Sequence, residues 1–170
     1  MNVEGFEIER KFLIAFPGRD VLCRCGDVTE ITQTYLVPDE DGFNERVRKR
    51  GKNDVWTYTH TRKKHLSDVR RIELEDEISE EEYSELLKKA DVSKNVICKT
   101  RYCLEYEGQL FEIDVFPFWK GRAFMEIELA CEEQEVRFPP DITIARELTG
   151  DRRYTNYALS DSIPDEPLYK

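Results

Sequence analysis

The sequence predicts an α+β chain that is mainly β: a closed, eight-stranded antiparallel barrel with a few covering helices. Three observations predict it. Segments with strict two-residue alternation recur from Phe6 to Ala130, separated by turns rich in Gly, Pro, Asn and Asp. Nearly all of them carry charged residues on one face and apolar residues on the other. Helix-forming sequence is confined to one capped segment and short pieces near the end, too little to cover so many apolar faces on a flat sheet. Closing the sheet removes its edges, turns the charged faces inward and leaves the apolar outside for helices and loops.

The first strand spans Phe6 to Ile14, with Glu7, Glu9 and Lys11 on one face and Phe6, Ile8, Phe12 and Ile14 on the other, interrupted by Arg10. Pro17-Gly18 opens an irregular stretch through Gly26-Asp27. Strands then follow at Thr29–Val37 (Ile31, Gln33 and Tyr35 on one face), Phe43–Arg50 (Arg46 and Arg48) and Val55–Lys64 (Thr57, Thr59, Thr61 and Lys63), the last two joined by a Gly51-Lys52-Asn53-Asp54 hairpin. Val69–Ile78 sets Arg71, Glu73 and Glu75 against Ile72 and Leu74. Ser79-Glu80-Glu81-Glu82 is a capping box, and the helix it starts runs to about Ala90 with Tyr83, Leu86 and Leu87 as its apolar stripe. Val96–Glu105 presents Lys99 and Arg101, Leu110–Phe116 presents Glu112 and Asp114, and Ala123–Ala130 presents Glu126 and Glu128. Ile144–Leu148 and Tyr154–Leu159 read as short helical pieces.

A length of 170 residues fits a single domain over 1–160, with 161–170 a Pro-containing, mobile tail. Charged residues make up 36% of the chain, and the net charge of −10 argues against non-specific attraction to a nucleic acid polymer or an anionic membrane. No apolar run is long enough to span a bilayer and the start lacks a signal-peptide pattern, which points to a cytoplasmic protein. The five cysteines are odd in number and irregularly spaced, so free thiols are expected rather than disulfides or a zinc site. His60 and His65 fall on the outer face or the surface, and Trp56, Tyr58 and Trp119 read as packing residues.

The charged faces form a mixed inventory. Inward acids are Glu7, Glu9, Glu73, Glu75, Glu112, Asp114, Glu126 and Glu128; inward bases are Lys11, Arg46, Arg48, Lys63, Arg71, Lys99 and Arg101. Isolated charges cannot be buried unpaired. A water-filled channel lined by both signs suits a polyanion bound together with divalent cations, because guanidinium forks match phosphate oxygens and carboxylates supply hard oxygen ligands to Mg²⁺ or Mn²⁺. Any one of these pairs alone reads as a cross-strand ion pair on an exposed sheet; their repetition over so many strands favours a site.

The ordered set of motifs resembles the CYTH superfamily, the triphosphate tunnel metalloenzymes. Glu7-Ile8-Glu9-Arg10-Lys11 fits its ExExK signature, followed by Gln33-Thr34-Tyr35-Leu36, Arg46-x-Arg48, Thr61-x-Lys63, Arg71-x-Glu73-x-Glu75, Lys99-Thr100-Arg101-Tyr102, Phe111-Glu112-x-Asp114, Glu126-x-Glu128 and Arg153-Tyr154-x-Asn156. The length and the Gln-x-Tyr-Leu segment are most like the short bacterial members that hydrolyse inorganic tripolyphosphate. By matching positions the resemblance implies metal ligation by Glu7, Glu9 and Glu128, with Glu126 and Asp114 beside them. It implies phosphate binding by Lys11, Arg46, Arg48, Lys63, Lys99 and Arg101, with Arg71 and Arg152 added as substrate contacts, and a catalytic pairing of Lys11 with Tyr35. Arg152 stands where a lysine is common in this group, and no glycine lies between Lys63 and Arg71, which leaves Lys63 or Lys64 open as the inward residue.

The expected reaction is Mg²⁺- or Mn²⁺-dependent hydrolysis of inorganic tripolyphosphate to phosphate and pyrophosphate, with a second metal, or a carboxylate such as Glu73 or Glu75, orienting water and the arginines stabilising the transferring group. Alternatives on the same scaffold are a nucleoside or thiamine triphosphatase and a class IV adenylate cyclase. An alternative of another class is a non-catalytic polyphosphate- or nucleotide-binding module. Dimers are common among the proteins it resembles, so a homodimer stays open as its assembly.

Overall fold

The computed structural model describes residues 8–65 and 71–169, with the backbone alone at His65, Arg71 and Ile72. Its strands are β1 (Ile8–Ala15), β2 (Asp27–Tyr35), β3 (Asn44–Lys52), β4 (Val55–His65), β5 (Arg71–Ile78), β6 (Ile97–Tyr106), β7 (Gln109–Val115), β8 (Arg122–Leu129) and β9 (Ile144–Glu147). Helices α1 (Arg19–Cys23), α2 (Glu80–Leu87) and α3 (Asn156–Asp161) are short, and Arg152–Tyr154 forms a 3-10 turn. The chain is mainly β and antiparallel, as its alternation dictates. The beginning of the first expected strand, with Phe6 and Glu7, and the onset of the fifth at Val69 lie outside the described residues.

Two compact units divide the chain. The first comprises the described residues of Met1–Thr29, Lys99–Tyr154 and Pro164–Lys170. Its strand order is β6-β7-β8-β1-β9. Register places Phe12 opposite Met125 and Ile14 opposite Ala123, while Ile113 pairs with Met125 from the other side. These residues, with Val21 of α1, Leu104, Phe111, Ile127, Leu129 and Ile142, bury one face of the sheet as a core. Burial of each such side chain contributes about 1.5–3 kcal/mol. The opposite face carries Glu9, Lys11, Arg101, Glu112, Asp114, Glu126 and Glu128. An aromatic cluster of Phe116, Trp119, Phe124 and Tyr154 packs edge-to-face.

The second unit comprises the described residues of Glu30–Cys98 and Thr155–Ile163. Its strand order is β5-β4-β3-β2. Asn53 and Asp54 take φ of 51° and 60°, the paired positive values of the two-residue turn that joins β3 to β4. A side chain at Gly51 would collide with the Val55 carbonyl oxygen, its Cβ only 1.9 Å away. Val47 and Tyr58 pack with Leu36 and Tyr83 of α2 into a small core, joined by Trp56, Ile78, Leu86 and Leu87. The expected capping box is formed: Ser79 Oγ accepts from the Glu82 amide at 3.1 Å, and the Glu82 carboxylate accepts from the Ser79 amide at 2.8 Å.

Three details differ from the expectation. Nine strands are present, and β5 and β9 each have a single neighbour among the described residues, so the sheet is open at two edges instead of closed. β9 replaces the helical reading of Ile144–Leu148: Ile144 and Leu148 are spaced as on a helix, but Ile144 pairs with Ile14 and Glu147 with Phe12 along the edge of β1. The stretch after Pro17-Gly18 contains α1, whose single buried residue, Val21, is too little for a helical period to be seen. No disulfide joins the cysteines, and among the described residues no helix is long and apolar enough to cross a membrane.

Candidate active site

Each unit offers one charged face. On the first, alternation along four adjacent strands brings acids and bases to the same side, and register fixes their neighbours. Glu9 lies opposite Glu128, Lys11 opposite Glu126, Glu112 opposite Glu126 and Arg101 opposite Asp114. Lys11 Nζ is 2.9 Å from Glu126 Oε1 and 4.0 Å from the Phe124 ring centroid. Arg101 is the hub: its Nε is 2.7 Å from Asp114 Oδ1, one terminal nitrogen meets Glu126 at 3.0 Å and the other meets Glu112. Lys99, nearly buried, reaches Asp114 Oδ2 at 2.5 Å.

Two kinds of carboxylate result. Asp114 is fully buried and both its oxygens are taken by cations. Burial alone would raise its pKa, but Lys99 and Arg101 reverse this and hold it well below the usual carboxylate range. Burial pushes the Lys99 ammonium below its ordinary value, against the attraction of Asp114. Arg101 is held above its ordinary value by Asp114 and Glu126, although burial works the other way. Glu9 behaves differently. Desolvation by its surroundings, then repulsion from Glu126, push its carboxyl up to about 7, against the opposing pull of Lys11 and Arg101. It remains open to solvent.

The acids directly opposite one another, Glu9 with Glu128 and Glu112 with Glu126, are what a structural ladder avoids, since like charges across a strand pair are destabilising. Hard oxygen donors crowded in this way fit a divalent cation such as Mg²⁺ or Mn²⁺. Glu9, Glu126 and Glu128 share this face. Among the described residues no three acidic, His or Cys side chains are already drawn together as a ligand cluster. Asp114, expected beside the metal ligands, accepts from both Lys99 and Arg101. Glu7 lies outside the described residues.

On the second unit, Tyr35 lies opposite Arg46, Arg46 opposite Thr61 and Thr61 opposite Glu75; one row along, Gln33, Arg48 and Thr59 align. Gln33 is fully buried. It accepts from Arg48 Nε at 3.3 Å and Nη2 at 3.1 Å and donates to the Tyr35 hydroxyl at 2.7 Å. Burial pushes the Tyr35 phenol up, against the opposing effect of Arg46 and Arg48. Thr61 Oγ1 donates to Glu75 Oε2 at 2.7 Å, and Lys63 Nζ meets Glu73 Oε1 at 2.9 Å. Lys63 therefore shares the face of Arg46, whereas Lys64 Nζ donates to the Asp41 carbonyl at 2.6 Å. Two buried atoms on this face, Arg46 Nε and Thr59 Oγ1, have no hydrogen-bond partner among the described residues. Buried donors are satisfied in folded proteins, so a ligand acceptor fits here.

Two expected residues remain. Only the backbone of Arg71 is described, paired with His65. Arg152 is exposed at the start of the 3-10 turn. Its neighbour Arg153 and Arg146 both bind Glu166, at 2.5 and 2.8 Å. Two residues left out of the expected site also lie on these faces: Gln33, visible in the alternation beside Tyr35, and Glu112, counted on the charged face but not among the metal ligands.

Comparison with known proteins places this arrangement. The CYTH domain model matches residues 5–150. The inorganic triphosphatase of Nitrosomonas europaea is 35% identical over 161 residues, covering 93% of this chain and 99% of the relative. That of Acetivibrio thermocellus is 36% identical over 156 residues, covering 91% and 93%. The crystal structure of the inorganic triphosphatase NE1496 aligns with a TM-score of 0.60 at 32% identity, over 96% of this chain and 99% of that one. With its charged strand faces and a family match over most of its length, the chain belongs to the CYTH family.

Proposed function

We propose that this chain is a metal-dependent hydrolase that cleaves inorganic tripolyphosphate to phosphate and pyrophosphate. The observation that carries the reading is the cationic face with an unfilled donor: Arg46 Nε, buried and without an acceptor among the described residues, on the same face as Thr59, Arg48 and Lys63. An oxyanion with several acceptor oxygens satisfies such a face. The two relatives named inorganic triphosphatase support tripolyphosphate over a nucleotide as the substrate.

In hydrolysis a water oxygen bonds to the terminal phosphorus and the bridging P–O bond breaks, so orthophosphate and pyrophosphate leave. A divalent cation on Glu9, Glu126 and Glu128, joined by Glu7 at the matching motif position, would supply charge neutralisation of the phosphate oxygens; Mg²⁺ or Mn²⁺ suits these donors. Arg46, Arg48 and Lys63, on one face of the second unit, hold phosphate oxygens and stabilise the charge that develops on them. Arg101 and Lys99, locked on Asp114, act mainly by keeping the acids of the first face ordered. Glu75, whose Oε2 is engaged by Thr61, keeps its second oxygen to orient the attacking water and take its proton.

Phosphate release from tripolyphosphate, ATP, GTP and thiamine triphosphate, each with Mg²⁺, Mn²⁺ or EDTA, tests the reading. Metal-dependent turnover of tripolyphosphate above the nucleotides is expected. Cyclic AMP from ATP, or tight binding without turnover, overturns it.

A further inference from the structure

We propose that Gln33 is a positioning residue that commits Tyr35 to act as a hydrogen-bond donor toward the bound phosphate chain and not as a proton acceptor. This rests on the phosphohydrolase reading above, and it adds to that reading a role for a buried amide and a direction for a proton.

The argument starts from what each partner can do. A guanidinium carries only donors. The end of the Gln33 amide that faces Arg48 Nε and Nη2, at 3.3 and 3.1 Å, must therefore be the carbonyl oxygen. The other end, 2.7 Å from the Tyr35 hydroxyl, is then the NH₂, which only donates. Arg46, directly across the strand pair, hydrogen-bonds the same hydroxyl and again can only donate. The Tyr35 oxygen thus accepts from its neighbours, and none of these takes the phenol's own proton. Burial on β2 favours the neutral phenol over the phenolate and outweighs the cations beside it.

A phosphate chain presents acceptors. An oxyanion that fills Arg46 Nε, which has no acceptor among the described residues, lies next to Tyr35, because the two residues are cross-strand neighbours. The phenol O–H can then donate to it, and a hydroxyl whose oxygen already accepts from two donors is polarised into a stronger donor. No covalent step by Tyr35 is required; the proton stays on the phenol and the bond strengthens as charge grows on the phosphate oxygen. Gln33, bridging Arg48 and Tyr35, gives both residues one fixed geometry.

Gln33→Glu tests this because it keeps size and the Arg48 contact but reverses the Tyr35 bond. A carboxylate only accepts, so it captures the phenol proton. The readout is the cost of Tyr35→Phe measured in each background, which cancels the general effect of the added charge. In the Gln33 background Tyr35→Phe is expected to lower kcat by about 10²-fold, the scale of one lost oxyanion donor. In the Gln33→Glu background it is expected to change kcat less than twofold. Equal costs in the two backgrounds overturn the proposal, as does a Gln33→Glu enzyme with undiminished kcat, the result expected if Tyr35 took up a proton. Titration calorimetry of tripolyphosphate in EDTA repeats the cycle without turnover. Non-additive losses of affinity there, together with no hydrolysis by the wild type, would sink the hydrolase reading and leave the Gln33–Tyr35 coupling standing; additive losses sink the coupling. Unchanged thermal midpoints establish that the variants fold.

Discussion

Glu9 and Glu128 face each other directly across the β1–β8 ladder, an acid opposite an acid. Desolvation first, then repulsion from Glu126, raises the Glu9 carboxyl from 4.5 to about 7, against the pull of Lys11 and Arg101. A carboxyl raised in the folded state destabilises the fold as it ionises. The loss begins as pH rises through the unfolded value and is complete above the folded one. In EDTA, the wild-type thermal midpoint is therefore expected to fall between about pH 5 and pH 8, and that of Glu9→Gln to fall less. Solvent access to Glu9 screens the effect, so the difference is expected to be a few degrees. Mg²⁺ should restore the wild type at pH 8 and not the variant. Parallel midpoint–pH curves for the two proteins would remove the acid–acid conflict as the reason for metal binding.

Asp114 is the opposite case. Its carboxylate is enclosed by Lys99 and Arg101, and removing its charge leaves two buried cations short of a partner. Asp114→Asn is expected to destabilise by about 3–5 kcal/mol in urea unfolding, the scale of a broken buried pair. The pH sign is reversed relative to Glu9. A lowered pKa contributes stability that is full above the ordinary value of 3.8 and is lost as pH falls through the folded value, so this network should fail only in acid. A variant as stable as wild type at pH 7 would show that Glu112 and Glu126 hold Arg101 unaided.

How far these sites could be read from the chain depends on what alternation encodes. A period of two states which residues share a face, and it placed Glu9, Lys11, Arg46, Arg48, Arg101 and Glu126 on charged faces correctly. It does not state which partner each one takes. Asp114 and Glu128 are both acids on such faces, yet one is locked under two cations and the other lies against Glu9, a difference made by register between strands distant in sequence. Likewise Ile144 and Leu148 carry a helical spacing, and only the unpaired edge of β1 turns that segment into β9. Closure failed as an expectation for a related reason: it follows from what the terminal strands pair with, which no single strand records.

Arg46 supplies the unfilled donor, so its geometry and not only its charge should matter. Arg46→Lys retains a cation but loses the planar fork and its Nε. Both Arg46→Lys and Arg46→Ala are expected to lower kcat/KM for tripolyphosphate by about 10²–10³-fold, with lysine recovering little. Stability should be nearly unchanged or slightly higher for Arg46→Ala, because an unsatisfied buried donor is removed. Full activity in Arg46→Lys would mean that the face recognises charge alone.

Glu166 ties the end of the first unit to β9. Its Oε2 accepts from Arg146 Nη2 at 2.8 Å and from the Tyr154 hydroxyl at 3.1 Å, while Arg153 pairs with Oε1. Arg122 donates to the Glu166 carbonyl at 2.8 Å. The three side-chain contacts should not count equally. Arg146 is half-buried and Tyr154 fully buried, so their bonds are made where water competes poorly; Arg153 is exposed and already shared with Asp151. Glu166→Ala and Arg146→Ala are therefore expected to cost about 1–3 kcal/mol each, the range for hydrogen bonds to charged groups. Arg153→Ala should cost less than either. The double variant Glu166→Ala/Arg146→Ala should cost less than the sum of its parts, since either single change already breaks the shared bond. Urea midpoints with an unchanged slope provide the measurement. Strict additivity, or an Arg153→Ala loss as large as that of Arg146→Ala, would place the anchor of the chain's last segment elsewhere than in the Arg146–Glu166 pair.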